Sequence, residues 1–189
     1  ELLVQQVDHG ALHLGLAAFG ALLQMVVQRL RENLDDLYVL SQPPTDMDLA
    51  DHAILSNPLV LIAPGDHPFS GRKRIALRAL QGERFILREA GSGTRLSTDR
   101  FFRQQSFVPD RLLELGSNEA IKEAVAVHLG VAILSRHALR AEIDQDGLCI
   151  LPVTGFPIRS HWHVVYPRAR QLSPVAEVFL KSLLAQAHP

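Results

Sequence analysis

The 189-residue sequence has little of several features that define large classes of protein. Its one cysteine, Cys149, excludes a disulfide within the chain and favours a reducing compartment. Cys149 lies in an apolar run, so we interpret it as a small core residue rather than a nucleophile. No apolar run reaches the roughly 18–20 residues that span a membrane, and the first residues lack the basic start of a signal peptide. These absences predict a cytoplasmic protein that does not contact a membrane.

An excess of charge of either sign is also missing. Lys and Arg number 19 against 20 Asp and Glu, so the formal net charge is −1. A chain that itself grips DNA usually shows a basic surface or stripe. The small basic cluster at residues 72–74 fits a solvated loop instead. The sequence therefore argues against DNA binding by this chain.

Motifs for catalysis, nucleotide binding and metal binding are absent as well. There is no Gly-x-Ser-x-Gly elbow and no P-loop, and Leu96 stands where a dinucleotide fingerprint has its third glycine. His161 and His163 point the same way on a predicted strand, but two histidines alone make a poor metal site. We therefore expect no catalytic residue, no metal site and no cofactor.

What is present is an alternation of strands and helices, which is typical of an α/β fold. Residues 12–16, 21–33 and 37–40 form a predicted β-α-β unit, which implies parallel strands. Further predicted strands cover residues 59–63, 85–87, 112–115, 131–134, 148–153 and 161–166. Further predicted helices cover residues 77–81, 94–105, 118–129 and 135–143, with a last one from Ser173.

Two of these helices carry definite expectations about which side chains are buried. Helical spacing places an apolar stripe on the helix after Asn118, with Gly130 as its stop signal. Ser173 and Pro174 supply a cap and a first-turn proline for the last helix. The expected buried residues are Ile121, Val125 and Leu129 in the first, and Val175, Phe179 and Leu183, with Leu180, in the second.

The stretch at residues 88–95 indicates a strand end, a tight glycine loop and a helix start. Gly91 and Gly93 permit backbone angles closed to other residues, and the first helical turn leaves N–H groups without partners. Together with nearby hydroxyl and guanidinium groups, these N–H groups can hold a carboxylate or phosphate. Those groups belong to Ser92, Thr94, Arg88 and Arg95. The same residues also fit a plain glycine turn with Ser or Thr capping a helix.

A second strand-to-helix turn lies at Ser117 and Asn118. Both turns follow the carboxyl ends of predicted strands, where open α/β sheets bind ligands. We therefore expect the two turns to converge on one cleft.

Three segments carry a resemblance to a known family. Residues 88–95 (REAGSGTR), 115–122 (LGSNEAIK) and 130–135 (GVAILS) resemble three signatures of the effector domain of LysR-type transcriptional regulators. Residues 32–44 (ENLDDLYVLSQPP) resemble the branch of that family that controls carbon fixation and inorganic-carbon uptake, the CbbR and CmpR type. The resemblance runs from about Val27 to the C-terminus.

The resemblance implies a fold like type II periplasmic binding proteins. Two α/β subdomains with mostly parallel central sheets would be joined by two crossover strands. One would hold residues 1–58 and 156–189, and the other residues 59–155. A small anionic effector, such as phosphoglycolate, ribulose bisphosphate or 2-oxoglutarate, would bind in the cleft. The implied contacts are Arg88, Gly91, Ser92, Gly93, Thr94, Arg95 and Asn118 on one side, with Ser41 and Gln42 facing them.

The resemblance also implies partners. DNA would be bound only through a winged helix-turn-helix domain absent from this chain. The chain would form a homodimer or homotetramer, with the helix at residues 21–30 as a candidate interface. The bland alternative is that this apolar stripe simply covers the sheet.

One departure from the family lies between the first strand and Val27, where the family has a loop, a helix, a second strand and a further loop. This sequence has only a few residues there, so subdomain I appears incomplete near residues 17–27. We therefore expect a break in the chain between about Gly20 and Val27, or a natively reduced subdomain.

Two other functions are compatible with the fold class. A solute-binding receptor would need export, and an α/β enzyme would need a nucleophile–base constellation, which is missing.

Overall fold

The computed structural model describes residues 19–139 and 143–187, in which helices and strands alternate. In chain order these elements are α1 (Phe19–Arg31), β1 (Tyr38–Leu40), β2 (Leu49–Ser56), β3 (Leu59–Pro64), β4 (Arg84–Arg88), α2 (Gly93–Gln104), β5 (Asp110–Leu115), α3 (Asn118–Ala126), β6 (Val131–Ser135), β7 (Leu148–Ile150), β8 (His161–Pro167) and α4 (Pro174–Ala185). Short 3₁₀ helices lie at Leu77–Leu80, Arg136–Ala138 and Ile143–Asp146. No helix within these ranges is long and apolar enough to cross a membrane.

The strands form two sheets. The smaller sheet has the order β1-β8-β2, and both of its pairings are antiparallel. The larger sheet has the order β5-β4-β6-β3-β7. There β4 pairs in parallel with β5 and β6, whereas β3 pairs antiparallel with β6 and β7. The α/β architecture is confirmed, but the prediction of mostly parallel sheets is wrong for the strands described.

The antiparallel pairings follow from the path of the chain between the sheets. The chain leaves the smaller sheet along β2 and returns along β8, so these neighbours run in opposite directions. Between the sheets, the Asn57 N–H donates to the Ser160 carbonyl (2.8 Å), and Leu59 and Ile158 exchange two hydrogen bonds of 2.9 Å. Ser135 Oγ donates to Oδ1 of the buried Asn57 (2.5 Å). The two crossover segments implied by the resemblance are therefore present and bonded to each other.

Alternating strand residues build one apolar layer on each face of the larger sheet. Phe85 packs edge-on against Phe102 of α2, with ring centroids 5.5 Å apart, and belongs to one cluster. Ile86 points to the other face and joins Ile121 and Val125 of α3. The smaller sheet has its own cluster under α1, formed by Leu30, Tyr38, Leu40, Leu49 and Val165. Each sheet thus carries its own core.

The start of the chain differs from expectation. Helix α1 runs unbroken from Phe19 to Arg31, so the predicted break between Gly20 and Val27 is wrong. The strand predicted at residues 12–16 lies outside the described residues. Tyr38–Leu40 pairs antiparallel with β8, and the parallel partner predicted for it lies in that same segment.

Two elements in the middle of the chain also differ. Strand β2 escapes sequence reasoning because Asp51 and His52 interrupt its apolar pattern, and pairing with β8 stabilises it instead. The helix predicted over residues 135–143 is wrong where the structure describes it. Ser135 Oγ accepts a hydrogen bond from the His137 N–H (3.2 Å), which caps the short 3₁₀ helix Arg136–Ala138.

Two predicted buried stripes are partly wrong. Leu129 is 41% exposed because α3 ends at Ala126 and His128 adopts φ 64°, which turns the chain away. In α4 the buried residues are Ala176 and Leu180, whereas Val175 is 80% exposed. Phe179 is 38% exposed, and Leu183 is half-buried. The sequence of α4 is apolar on nearly every side, so its periodicity does not identify the buried face.

Candidate functional site

The glycine loop joins β4 to α2 and leaves hydrogen-bond donors free. Gly91 has φ 91°, a conformation that favours glycine. Ser92 is the N-cap of α2, and its Oγ accepts a hydrogen bond from the Arg95 N–H (3.0 Å). Among the described residues, nothing accepts a hydrogen bond from the N–H groups of Gly93 and Thr94 or from the Thr94 hydroxyl. The first turn of α2 therefore combines unpaired donors with the positive end of the helix dipole.

Residues from the smaller sheet face this turn directly. A Cβ atom at Gly93 would lie 1.8 Å from the Ser41 Oγ, so glycine is required by the close approach of the two segments. Gln42 Nε2 donates to Ser97 Oγ, one helical turn further along α2 (3.1 Å). Ser41 and Gln42 follow β1, so this contact brings residues of the smaller sheet against the helix that covers the larger one.

Arg88 and Asn118 form a second group near the loop. Arg88 makes a two-pronged ion pair with Glu89, with Nε–Oε2 at 2.7 Å and Nη2–Oε1 at 2.9 Å. Its Nη1 donates to Asn118 Oδ1 at the start of α3 (2.8 Å). Glu89 is 7% exposed, so this guanidinium already has a close counter-charge. The Asn118 amide nitrogen has no hydrogen-bond partner in the part of the chain that the structure describes.

Arg95 has a different position from the one expected of a ligand contact. The residue is 8% exposed, and its guanidinium donates to Asp99 (2.9 Å), Glu114 (2.9 Å) and the Arg88 carbonyl (2.8 Å). Burial lowers the pKa of Arg95, but hydrogen bonds to Glu114 and Asp99 outweigh that effect and raise the pKa overall. Arg95 therefore ties α2 to β5 and to the end of β4, and it holds the loop rather than facing the cleft.

A cavity of about 350 Å³ continues along the same face of α2, beyond the bond between Gln42 and Ser97. It lies against the segment that returns from the larger sheet to β8. Its lining residues are Gln42, Ser97, Arg100, Phe101, Gln104, Gly155, Pro157, Ile158 and Arg159. Sequence reasoning missed Arg100, Gln104 and Arg159. The spacing of Ser97, Arg100 and Gln104, which share one helix face, is the signal that could have found two of them.

The structure thus brings part of the predicted site together. Ser41 and Gln42 meet the first turns of α2 near Gly93 and Thr94, and Arg88 is joined to Asn118. Ser92 and Arg95 support the loop from within.

Comparison with known proteins identifies this arrangement. Residues 20–188 match the sequence model of the LysR substrate binding domain. The RuBisCO operon transcriptional regulator of Acidithiobacillus ferrooxidans is 43% identical over 162 residues, which are 86% of this chain and 52% of that protein. The HTH-type transcriptional activator CmpR of Synechocystis sp. is 44% identical over 162 residues, which are 86% of this chain and 53% of that protein. The chain therefore spans about half the length of these two regulators.

Solved structures give the same answer. The regulatory domain of CcmR from Synechocystis PCC6803, in complex with 2-PG, has a TM-score of 0.81 and 43% identity. The match covers 86% of this chain and 78% of that one. The effector binding domain of QuiR, in complex with shikimate, has a TM-score of 0.76 at 17% identity, covers 87% of this chain and 77% of that one, and shows the fold alone. From the family match and these relatives, we conclude that the chain belongs to the family of LysR substrate-binding domains, among the relatives of carbon-fixation regulators.

Proposed function

We propose that this domain binds a small anionic metabolite in the cleft between Ser41–Gln42 and the glycine loop, and that binding controls transcription through a longer regulator. The observation that carries the proposal is the contact of Ser41 with the first turn of α2, beside unpaired N–H groups. No chemistry is performed on the metabolite, and the relatives are named as transcriptional regulators rather than enzymes.

The proposed site recognises an anion mainly through neutral donors. The donors are the N–H groups of Gly93 and Thr94, the hydroxyls of Ser41 and Thr94, and the Asn118 amide. Arg88 and Arg95 are already paired with carboxylates, so they shape the site and contribute little free charge. Donors at a helix N-terminus suit a phosphate or carboxylate, because the helix dipole favours negative charge there.

A phosphorylated metabolite is the effector class we favour. CcmR, whose regulatory domain was solved with 2-PG, shares 43% of its residues with this chain. Phosphoglycolate is therefore the first compound to test, with ribulose bisphosphate and 2-oxoglutarate as alternatives from the same branch of metabolism.

The same proposal includes a two-part domain and an assembly. We assign residues 1–58 and 156–189 to one subdomain and residues 59–155 to the other, because the strands of the two sheets divide in that way. Closure of the cleft on the effector would favour one arrangement of a homodimer or homotetramer over another, which requires different affinities for the two states. DNA contact would belong to a helix-turn-helix domain elsewhere in the longer protein.

The test is the substitution Thr94→Val, read by calorimetric titration with phosphoglycolate. Valine keeps the size of the side chain and removes a hydroxyl that bonds to nothing among the described residues, so packing changes little. Losing one hydrogen bond to a charged group costs about 1.5–3 kcal/mol, which is a tenfold to hundredfold loss of affinity. We expect that loss with an unchanged melting temperature.

The matched control is Thr45→Val, which removes the hydroxyl of an exposed threonine in the loop after Gln42. We expect the control to bind phosphoglycolate like the parent. If Thr94→Val also binds like the parent, then Thr94 does not contact the effector and the proposed site is wrong. Loss of binding in both variants would point to a general disturbance of the cleft.

A further inference from the structure

We propose that the cavity beside α2 is a second anion site, which accepts a small phosphate-bearing metabolite between Arg100 and Arg159. This site is separate from the glycine loop. The loop offers donors at the N-terminus of α2, whereas the cavity opens against the second and third turns of that helix.

The charges around the cavity favour an anion. Arg100 and Arg159 both line it, and neither forms an ion pair or a hydrogen bond with any described residue. Both residues are exposed, so an incoming ligand can reach their guanidinium groups. No carboxylate is among the residues that line the cavity within the described ranges. Two free guanidinium groups without a local counter-charge suit a dianion, which each planar fork can bind through two hydrogen bonds.

The base of the cavity is apolar and well packed. The rings of Phe101 and Phe156 meet edge-on, with centroids 5.1 Å apart, and Ile158 is buried beside them. Gly155 has φ 94°, and a Cβ atom there would lie 2.8 Å from the Phe101 ring, so the turn fits closely over that ring. An apolar base with a few polar groups at its rim is the usual composition of a small-molecule pocket.

The size and the polar rim narrow the class of ligand. About 350 Å³ lies at the lower end of the range for small-molecule pockets, so a short metabolite fits and a nucleotide does not. Gln42, Ser97 and Gln104 supply hydrogen-bonding groups for hydroxyl or carbonyl oxygens next to the anion. A short phosphate monoester with an oxygen-bearing carbon chain satisfies both features.

Occupancy of this cavity would bear on the relation between the two sheets. Arg100 belongs to α2, which covers the larger sheet, and Arg159 lies in the segment that returns to the smaller one. Gln42 reaches the same cavity from the loop after β1. An anion held by both arginines would therefore link the two sheets, and it would change the balance between open and closed forms if it binds them unequally.

The experiment uses inorganic phosphate as the probe, titrated into the whole chain by calorimetry at low ionic strength. The variants are Arg100→Gln, Arg159→Gln and the double substitution. The matched control is Arg103→Gln, which removes the same charge from an exposed position of α2 that does not line the cavity. We expect each single variant to weaken phosphate binding about tenfold, because each loses charge-assisted hydrogen bonds. We expect the control to bind like the parent.

A second readout separates the cavity from the glycine loop. Phosphate should raise the melting temperature of the parent, of Arg103→Gln and of Thr94→Val, since a ligand stabilises the form that binds it. It should not do so through this site in the double arginine variant. The proposal is overturned if phosphate does not bind saturably, if Arg103→Gln weakens binding as much as the cavity variants do, or if Thr94→Val alone removes all binding.

Discussion

Arg95 links three segments of the larger sheet from a nearly buried position. Its guanidinium contacts Asp99, Glu114 and the Arg88 carbonyl, and the side chain is 9% exposed. Such a residue acts on the fold first and on a ligand only through the loop it holds.

We therefore expect Arg95→Met to destabilise the domain. Methionine keeps much of the side-chain volume but removes hydrogen bonds to charged groups, at a cost of about 1.5–3 kcal/mol. The free energy of unfolding, measured in urea, is the readout. The control Arg103→Met removes an exposed arginine of the same helix and should change that energy by less than about 0.5 kcal/mol. Equal effects of the two substitutions would contradict the structural role of Arg95.

Local chemistry explains which site residues the sequence could identify. Ser92 and Gly93 were identifiable because a cap and a close backbone approach depend on neighbouring residues and on glycine itself. The partners of Arg88 and Arg95 were not, since Asn118 and Glu114 lie 30 and 19 residues further along the chain. A cation in a motif can thus be predicted, but its counter-charge depends on the tertiary fold.

At the scale of elements, Asp36 fastens the start of α4 to the strand β1. Its Oδ1 accepts from Arg170 Nη2 (2.7 Å), and its Oδ2 accepts from the hydroxyl of Ser173, the N-cap of α4. The hydrogen bond from Ser173 and those from Arg170 lower the pKa of Asp36 below its ordinary 3.8. The link therefore depends on an ionised carboxylate.

The sign of this shift predicts a dependence of stability on pH. A carboxyl group with a lowered folded-state pKa stabilises the protein above its unfolded pKa, and that stabilisation disappears as the pH falls through the folded value. We expect Asp36→Asn to lower the melting temperature at pH 7, and we expect its difference from the parent to shrink below about pH 4.

Scanning calorimetry from neutral to acid pH measures this difference. Asp48→Asn is the control, because it removes one charge from an exposed pair with Arg168 on the surface. A difference between Asp36→Asn and the parent that stays constant with pH would contradict the role of the carboxylate.

Helix α4 also shows where prediction of elements ends. Its start was predictable from Ser173 and Pro174, because capping is a local interaction. Its buried face was not, because Ala176 and Leu180 are buried by contacts that the helix makes in the fold. Strand β2 likewise depends on β8, which follows it by about a hundred residues in the sequence.

At the scale of the molecule, the apolar face of α4 is the widest exposed surface of its kind on a described helix. Val175 and Val178 are 80% and 69% exposed, and Phe179 lies beside them at 38%. Contiguous exposed apolar residues mark interaction surfaces. We therefore expect the proposed association of chains to use this face, in addition to or in place of the α1 helix, whose Met25 is 58% exposed.

Val178→Glu tests this expectation. A charge at the centre of a buried contact costs several kcal/mol, so the variant should shift the assembly toward the monomer. Light scattering at micromolar concentration measures the mass. The control Val108→Glu alters a valine that is 76% exposed in a loop and should leave the mass unchanged. A parent that is already monomeric, or a Val178→Glu variant with the parent's mass, would contradict the interface.

The two crossover segments have a consequence for the order in which the chain folds. The described strands of the larger sheet all lie between residues 59 and 150, whereas the smaller sheet pairs residues as far apart as Asp51 and His163, 112 positions along the chain. Closing so long a loop costs conformational entropy before any contact is gained. The larger sheet removes most of that cost, because it holds Leu59 beside Ile158. Nucleation of the smaller sheet therefore depends on the larger one, and the larger sheet does not need the smaller one in return.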